Sequence, residues 1–168
     1  MLKKNLDTFN SIFNKLGKEH AILTAGNKTT GFNCLTVSWG GIGTLWGKNV
    51  CFVFVRKSRY THQFIESTDS LTLSFLPHTF QEQVDKIIGK TTGKGIDKVS
   101  LANLHYTYDP DYDGAYIAEA YQVLKMKKIN TLELDKLPPN IKEEYYINQD
   151  YHTMVICEIK QYLEKEDK

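Results

Sequence analysis

The sequence predicts a mainly β chain, an antiparallel β-barrel or sandwich with flanking helices, on three observations. Segments with period-two alternation, or with short continuous apolar runs, recur along the chain. The connections between them are short and carry Gly, Asn and Pro. Few helical stretches intervene, whereas a doubly wound parallel sheet needs a helix after nearly every strand. Ten tyrosines and eight phenylalanines suit strand packing, and they suit a pocket for a flat ligand equally well.

The 168 residues fit one domain, 1–168, and the 41% apolar content is enough for a packed core. A net charge of +1 gives no bulk electrostatic reason to expect nucleic acid or an anionic membrane as partner. No apolar run reaches membrane-spanning length, and the charged start Leu2-Lys3-Lys4 is not succeeded by a signal-peptide hydrophobic region. A cytoplasmic location is the expectation. Cys34, Cys51 and Cys157 are odd in number and far apart, which argues against a disulfide framework and for reduced thiols.

Taken in order, residues 7–16 place Phe9, Ile12, Phe13 and Leu16 at helical spacing, with Gly17 as a stop. Residues 21–25 read as a strand and 26–28 as a turn. Residues 32–39 form a second strand. Its alternation puts Asn33, Leu35, Val37 and Trp39 on one face and Cys34, Thr36 and Ser38 on the other. Gly40-Gly41-Ile42-Gly43 is expected to bend the chain. The run 50–55 is nearly all apolar, which predicts burial on both faces. Thr61 is placed to cap a short helix through Phe64 and Ile65. Residues 71–76 alternate again until Pro77. Residues 80–88 have helical spacing, with Phe80, Val84, Ile87 and Ile88 on one side. A polar, basic loop spans 89–95. Residues 115–129 make one long strand or two shorter ones, and 131–148, with Pro138-Pro139, an excursion that is partly helical. Residues 151–159 form the last strand, and the charged tail from Glu164 frays.

Two segments carry chemistry. After the apolar strand, Arg56-Lys57-Ser58-Arg59-Tyr60-Thr61 sets three cations beside hydroxyls. Guanidinium forks match phosphate oxygens bidentately, and hydroxyls and turn amides fill the remaining acceptors. The competing reading is a solvated charged turn. Residues 33–41 offer Asn33, Thr36 and Ser38 as donors and acceptors for a heterocycle edge, a tryptophan to flank it, and glycines that admit close backbone approach. The competing reading is an ordinary strand with a core tryptophan.

Other motifs fall away. Gly89-Lys90-Thr91 ends like a phosphate-binding loop, but Val84 stands where that motif needs glycine, and the preceding segment looks helical. The five histidines lack metal-ligand spacing, so no metal is expected. No GxSxG elbow supports a nucleophile, and no catalytic acid or base is assigned. The acidic run 109–114 lacks the glutamate of a calcium loop and reads as a turn.

Taken together, residues 32–41, Gly43 and Trp46, then Arg56 and Ser58-Arg59-Tyr60-Thr61, resemble the flavin reductase-like family of FMN-binding split-barrel proteins, its flavoredoxin branch most of all. The match is most specific over 21–76. Thr92-Gly93-Lys94-Gly95-Ile96-Asp97-Lys98 is similar to a degenerate form of the family's Ser-Gly-Arg-Asp-x-Asp-Lys segment. The resemblance implies a six-stranded antiparallel split barrel, a homodimer, and FMN near the subunit interface. It places Asn33, Thr36, Ser38 and Trp39, with the backbone of Cys34 and Leu35, along the flavin ring and ribityl. Arg56, Ser58, Arg59 and Thr61, with Tyr60 beside them, correspond to the phosphate clamp, and Lys94 and Lys98 to the third segment. Lys94 replaces a family arginine, a point charge in place of a fork. The implied activity is hydride transfer from NADH or NADPH to bound flavin and on to an electron acceptor, a partner protein among the candidates. The alternatives are an electron carrier without its own nicotinamide reaction, and a split barrel that binds a ligand without redox chemistry.

Overall fold

A computed structural model describes residues 1–6, 9 and 12–165. The expected first helix begins partly outside the described residues; within them it is α1, Ile12–Gly17. The last three residues of the expected frayed tail, 166–168, also lie outside them.

Among the described residues there are ten strands: β1 (Leu2–Lys4), β2 (Ala21–Asn27), β3 (Gly31–Val37), β4 (Gly40–Leu45), β5 (Lys48–Arg56), β6 (Ser70–Phe75), β7 (Tyr106–Asp109), β8 (Tyr112–Ile117), β9 (Gln122–Glu133) and β10 (His152–Glu164). Three more helices are α2 (Thr61–Ser67), α3 (Lys98–Leu101) and α4 (Pro139–Tyr145). The main sheet is antiparallel, in the order β3-β2-β6-β9-β10-β5-β4, with β1 added to β10. The fold is the mainly β split barrel that the resemblance implies; β1 and β4 extend its six strands to eight.

The split has a plain origin. The terminal strands of this order, β3 and β4, are consecutive in the chain and separated by Ser38 and Trp39, yet do not hydrogen-bond to each other. The sheet therefore curls round and leaves a seam at those two residues. Register shifts in β10 at Ile156/Cys157 and Ile159/Gln161 supply part of the curvature, since a bulge bends a strand and raises its twist.

The inner face of the curl carries the larger core, including Leu23, Leu35, Val53, Leu73, Leu124 and Val155. A second core lies on the other face of β2 and β3, where Ile22 and Cys34 meet Val84, Ile88, Val99 and Ile117. The period-two reading of β3 is thus realised, with Leu35 and Val37 in one core and Cys34 in the other. The β7–β8 ribbon is stitched over β6: Thr72 donates to the Ala115 carbonyl at 2.6 Å, and Ser74 Oγ accepts from the Ile117 amide at 3.2 Å.

Several local expectations change. The glycines at 40–43 do not bend the chain; they form β4, paired with β5 from Gly40↔Val53 to Leu45↔Lys48. The reversal comes later, at Trp46 and Gly47, both in the left-handed region with φ of 51° and 69°. Two consecutive positive φ values define the tight turn whose twist matches that of the strands. β5 is buried on one face and only half-covered at Phe52 and Phe54 on the other, so its apolar run does not signify full burial on both faces. Residues 80–88 become a short 3₁₀ turn, His78–Phe80, and a wide π-helical turn, Gln83–Ile88, that still buries Val84 and Ile88. Of the two readings of 115–129 the structure takes the two-strand one, as β8 and β9, while the final strand, expected over 151–159, continues to Glu164.

Candidate functional site

Three segments converge on β3. Asn33, 5% exposed, donates from Nδ2 to Thr61 Oγ1 at 3.0 Å and to the Thr92 carbonyl at 3.4 Å. Thr61 in turn donates to the Cys34 carbonyl at 2.9 Å. The start of β3, the turn after β5 and the loop 89–98 are thereby tied together through one buried hydroxyl. Thr61 consequently does not cap α2: the cap position is Tyr60, in helical conformation and with no side-chain cap. The hydroxyl is bonded across the chain to β3 instead of reaching along its own helix.

The loop is held closely. Arg59 Nη2 donates to the Gly89 carbonyl at 2.7 Å. Lys98, 2% exposed, places its ammonium 3.1 Å from the Ile88 carbonyl and 2.8 Å from that of Thr91. Burial lowers the Lys98 pKa, Cys34 offsets this in part, and the Arg59 charge lowers it further. Two glycines permit the approach. A Cβ on Gly89 would lie 2.9 Å from Thr36 Oγ1, and one on Gly93, whose φ is +78°, would collide with Asn33 Oδ1. Among the described residues, the Arg59 side chain has the Gly89 carbonyl as its one hydrogen-bond partner, which leaves most of its fork available beside the loop.

The other half of the basic turn faces elsewhere. Arg56 donates to the carbonyls of Asp150 at 2.9 Å and Tyr145 at 3.3 Å, and its guanidinium lies 5.4 Å from the centre of the Tyr146 ring. Ser58 donates to Asp150 through its hydroxyl at 2.6 Å and its amide at 3.2 Å. These contacts fasten α4 and the residues after it to the end of β5. The fastened segment reaches Trp39: Tyr145 meets the indole edge-on with centres 5.8 Å apart, and the His152 ring lies at 5.1 Å. His152 Nδ1 is 2.8 Å from the Tyr146 hydroxyl. Burial first, and the Arg56 charge second, pull its pKa down from 6.5 to about 4.

Trp39 itself is 45% exposed and sits at the seam, so it is not a core tryptophan. Beside it opens a cleft of about 530 Å³ walled by Ser38, Trp39, Gly41, Ile42 and Phe52, with α1 along one side. Leu35 points into the barrel core. The Cys34 thiol is enclosed in the second core, where burial raises its pKa to about 11, so it is a neutral packed group. Lys94 is exposed, and Tyr60 is half-buried with its ring against Phe64 at 5.3 Å. The structure thus brings together Asn33, Cys34, Thr36, Arg59, Thr61 and Lys98, puts Ser38 and Trp39 at the seam, and turns Arg56 and Ser58 toward Asp150. Sequence reasoning missed Gly89, Thr91, Tyr145 and Asp150. The first two act through backbone carbonyls, which no side-chain pattern signals.

The family model described as flavin reductase like domain matches residues 13–168. No curated protein matches the sequence significantly. Solved structures do. The flavoredoxin of Desulfovibrio vulgaris (Miyazaki F) superposes with a TM-score of 0.70 at 20% identity, over 98% of this chain and 78% of that one. A flavoredoxin from Methanosarcina acetivorans gives 0.69 at 20% identity, over 99% and 76%. An NADH:FAD oxidoreductase of Streptomyces globisporus C-1027 gives 0.66 at 16% identity, over 88% and 75%. At these identities the superpositions establish the shared fold.

Proposed function

The chain belongs to the flavin reductase-like domain family, and from that premise we propose that it binds FMN and works as a flavin-dependent oxidoreductase reduced by NADH or NADPH. The observation that carries this reading is the Asn33–Thr61–Cys34 junction. It joins the strand suited to a flavin ring to the turn and loop suited to a phosphate.

In this reading Thr36, Ser38 and the backbone of β3 hold the ring and ribityl, and Trp39 flanks the ring at the seam. Arg59, Lys94 and the amides of the 89–94 loop hold the phosphate. Lys98 fixes the loop from beneath. Arg56 and Ser58 serve by anchoring α4 against Trp39. Bound flavin supplies the hydride and electron chemistry; the chain supplies placement and exclusion of water. The cleft beside Trp39, about 530 Å³, has room for a flat second reactant. A homodimer fits the large apolar side chains left at the surface, Phe13 at 90% exposed and Ile147 at 81%.

Arg59→Ala tests the reading. Losing a charge-assisted phosphate contact costs about 1.5–3 kcal/mol, so FMN affinity falls tenfold or more. Unchanged affinity removes Arg59 from the site. A flavoredoxin-type carrier, which takes electrons from a protein and not from a nicotinamide, is separated by mixing the flavin-loaded protein with NADH or NADPH. Prompt bleaching of the flavin absorbance excludes the pure carrier.

A further inference from the structure

β2 and β3 pair along their whole length, and the last pair toward the seam is Ala21↔Val37. One residue beyond it lie His20 on one side and Ser38 on the other. The same ladder sets Ile22 opposite Thr36. Ile22 faces the second core, with Val84 and Ile88 of the π-helical turn. The His20 imidazole is on that face too, because its Nδ1 lies 2.7 Å from Asp85 Oδ1 on the same turn. Thr36 closes the patch, its hydroxyl oxygen 2.9 Å from where a Cβ on Gly89 would stand. His20 and Asp85 therefore border Thr36 and Ser38, the side chains to which the flavin reading gives the ring.

The pair is fixed in one arrangement. His20 has a φ of 58°, a left-handed conformation that its surroundings must hold in place. The other Asp85 oxygen accepts from Gln81 Nε2 at 3.0 Å. Burial pushes the Asp85 carboxyl up, but the hydrogen bonds from Gln81 and His20 and the Lys90 charge outweigh it and keep the group below its ordinary range. An ionised carboxylate only accepts, so Nδ1 carries the hydrogen and Nε2 is the open end. Among the described residues Asp85 is the one hydrogen-bond partner of the imidazole, whose side chain is 32% exposed. The charged groups around it are Asp85 from the turn, Lys90 from the loop after it, and the preceding Glu19, which accepts from the Tyr121 hydroxyl at 3.3 Å. β3 faces it with Thr36 and Ser38, neither of them charged.

We infer that His20 takes up a solvent proton at Nε2 and directs it as a hydrogen bond to the polar edge of the flavin ring on reduction, with Asp85 as the positioning residue. The charges balance. Hydride from the nicotinamide carries two electrons and leaves the ring one unit more negative. The proton at Nε2 supplies one positive charge beside it, and Asp85 stays ionised and steadies the imidazolium that forms. A pin between the end of α1 and the π-helical turn would need the hydrogen bond alone, and would alter stability without altering the reduction potential.

The inference rests on the flavin reading, and the two fail separately. The reduction potential of FMN bound to the purified protein is measured by equilibration with a redox dye, for wild type, His20→Asn and Asp85→Asn. Asparagine tolerates the left-handed conformation at position 20. Losing a charge-assisted hydrogen bond made only to the reduced ring weakens binding of reduced relative to oxidised FMN about tenfold. For a two-electron couple that lowers the potential by about 30 mV. Asp85→Asn lowers it in the same direction by less, and decides the matter alone if His20→Asn does not fold. A potential unchanged or raised in both variants, with the melting temperature lowered, overturns the inference and leaves the pair a structural pin. If wild type does not bind FMN, the flavin reading falls and the role of His20 with it.

Discussion

The hydroxyl of Thr61 donates to the backbone carbonyl of Cys34 across 2.9 Å, joining the turn after β5 to a strand nearly thirty residues earlier. Both residues are buried, and the same oxygen accepts from Asn33. A hydroxyl that donates and accepts inside a core gives the junction one geometry, because each unmade bond there carries its full desolvation cost.

Thr61→Val keeps the shape and removes both bonds. Asn33 Nδ2 then loses its better partner and the Cys34 carbonyl loses the Thr61 hydroxyl. The expected loss is about 2–4 kcal/mol of unfolding free energy, read from the urea midpoint at unchanged slope. Flavin affinity falls as well, because the ring strand and the phosphate turn are no longer held in register. A variant as stable as wild type would show that the junction is incidental.

Asp150→Ala releases the clasp on Ser58 and removes the carboxylate beside Arg56, which keeps its backbone partners and the Tyr146 ring. Two partly exposed hydrogen bonds are lost, so the global cost is small, about 1 kcal/mol. The local effect is larger. Amides of α4 exchange faster with solvent deuterium, and Trp39 fluorescence changes because Tyr145 leaves the indole edge. Unaltered exchange across 139–150 would contradict the assignment of Arg56 and Ser58 to anchoring.

His152 makes stability depend on pH. Its folded pKa lies at about 4, below the ordinary 6.5. Between those values the unfolded chain binds a proton that the folded chain refuses, so stability falls as pH drops from 6.5 toward 4 and levels below it. Above 6.5 the imidazole is neutral in both states and adds no slope. His152→Gln flattens this part of the stability curve, measured by urea unfolding at successive pH values. An identical slope in the variant would show that other groups carry the acid sensitivity.

Much of this arrangement was legible in the residues. β2, β3, β5 and β6 emerge from alternation and apolar runs, and the coming together of β3, the basic turn and the 92–98 segment from the resemblance. What escaped did so for physical reasons. Glycines at 40–43 signal a bend on their own, yet pairing with β5 satisfies their backbone groups and keeps them extended. Trp46 gives no turn signal, because a bulky residue seldom adopts positive φ; Gly47 and the flanking strands impose it. Arg56 and Ser58 have the composition of an anion clamp, and only the tertiary position of Asp150, more than ninety residues later, shows where their donors go. Thr61 has the composition of a helix cap, and a buried carbonyl across the chain takes its proton instead. Local propensity loses wherever a distant partner offers a buried group a better bond.

Every functional assignment to the seam and junction of this barrel depends on their holding a flavin. The decisive experiment is titration of the purified protein with FMN, read as quenching of flavin fluorescence. Saturable binding of one FMN per chain is expected, with affinity reduced tenfold or more in Arg59→Ala. Flavin fluorescence that stays unquenched at every protein concentration, with FAD as with FMN, would overturn the assignment.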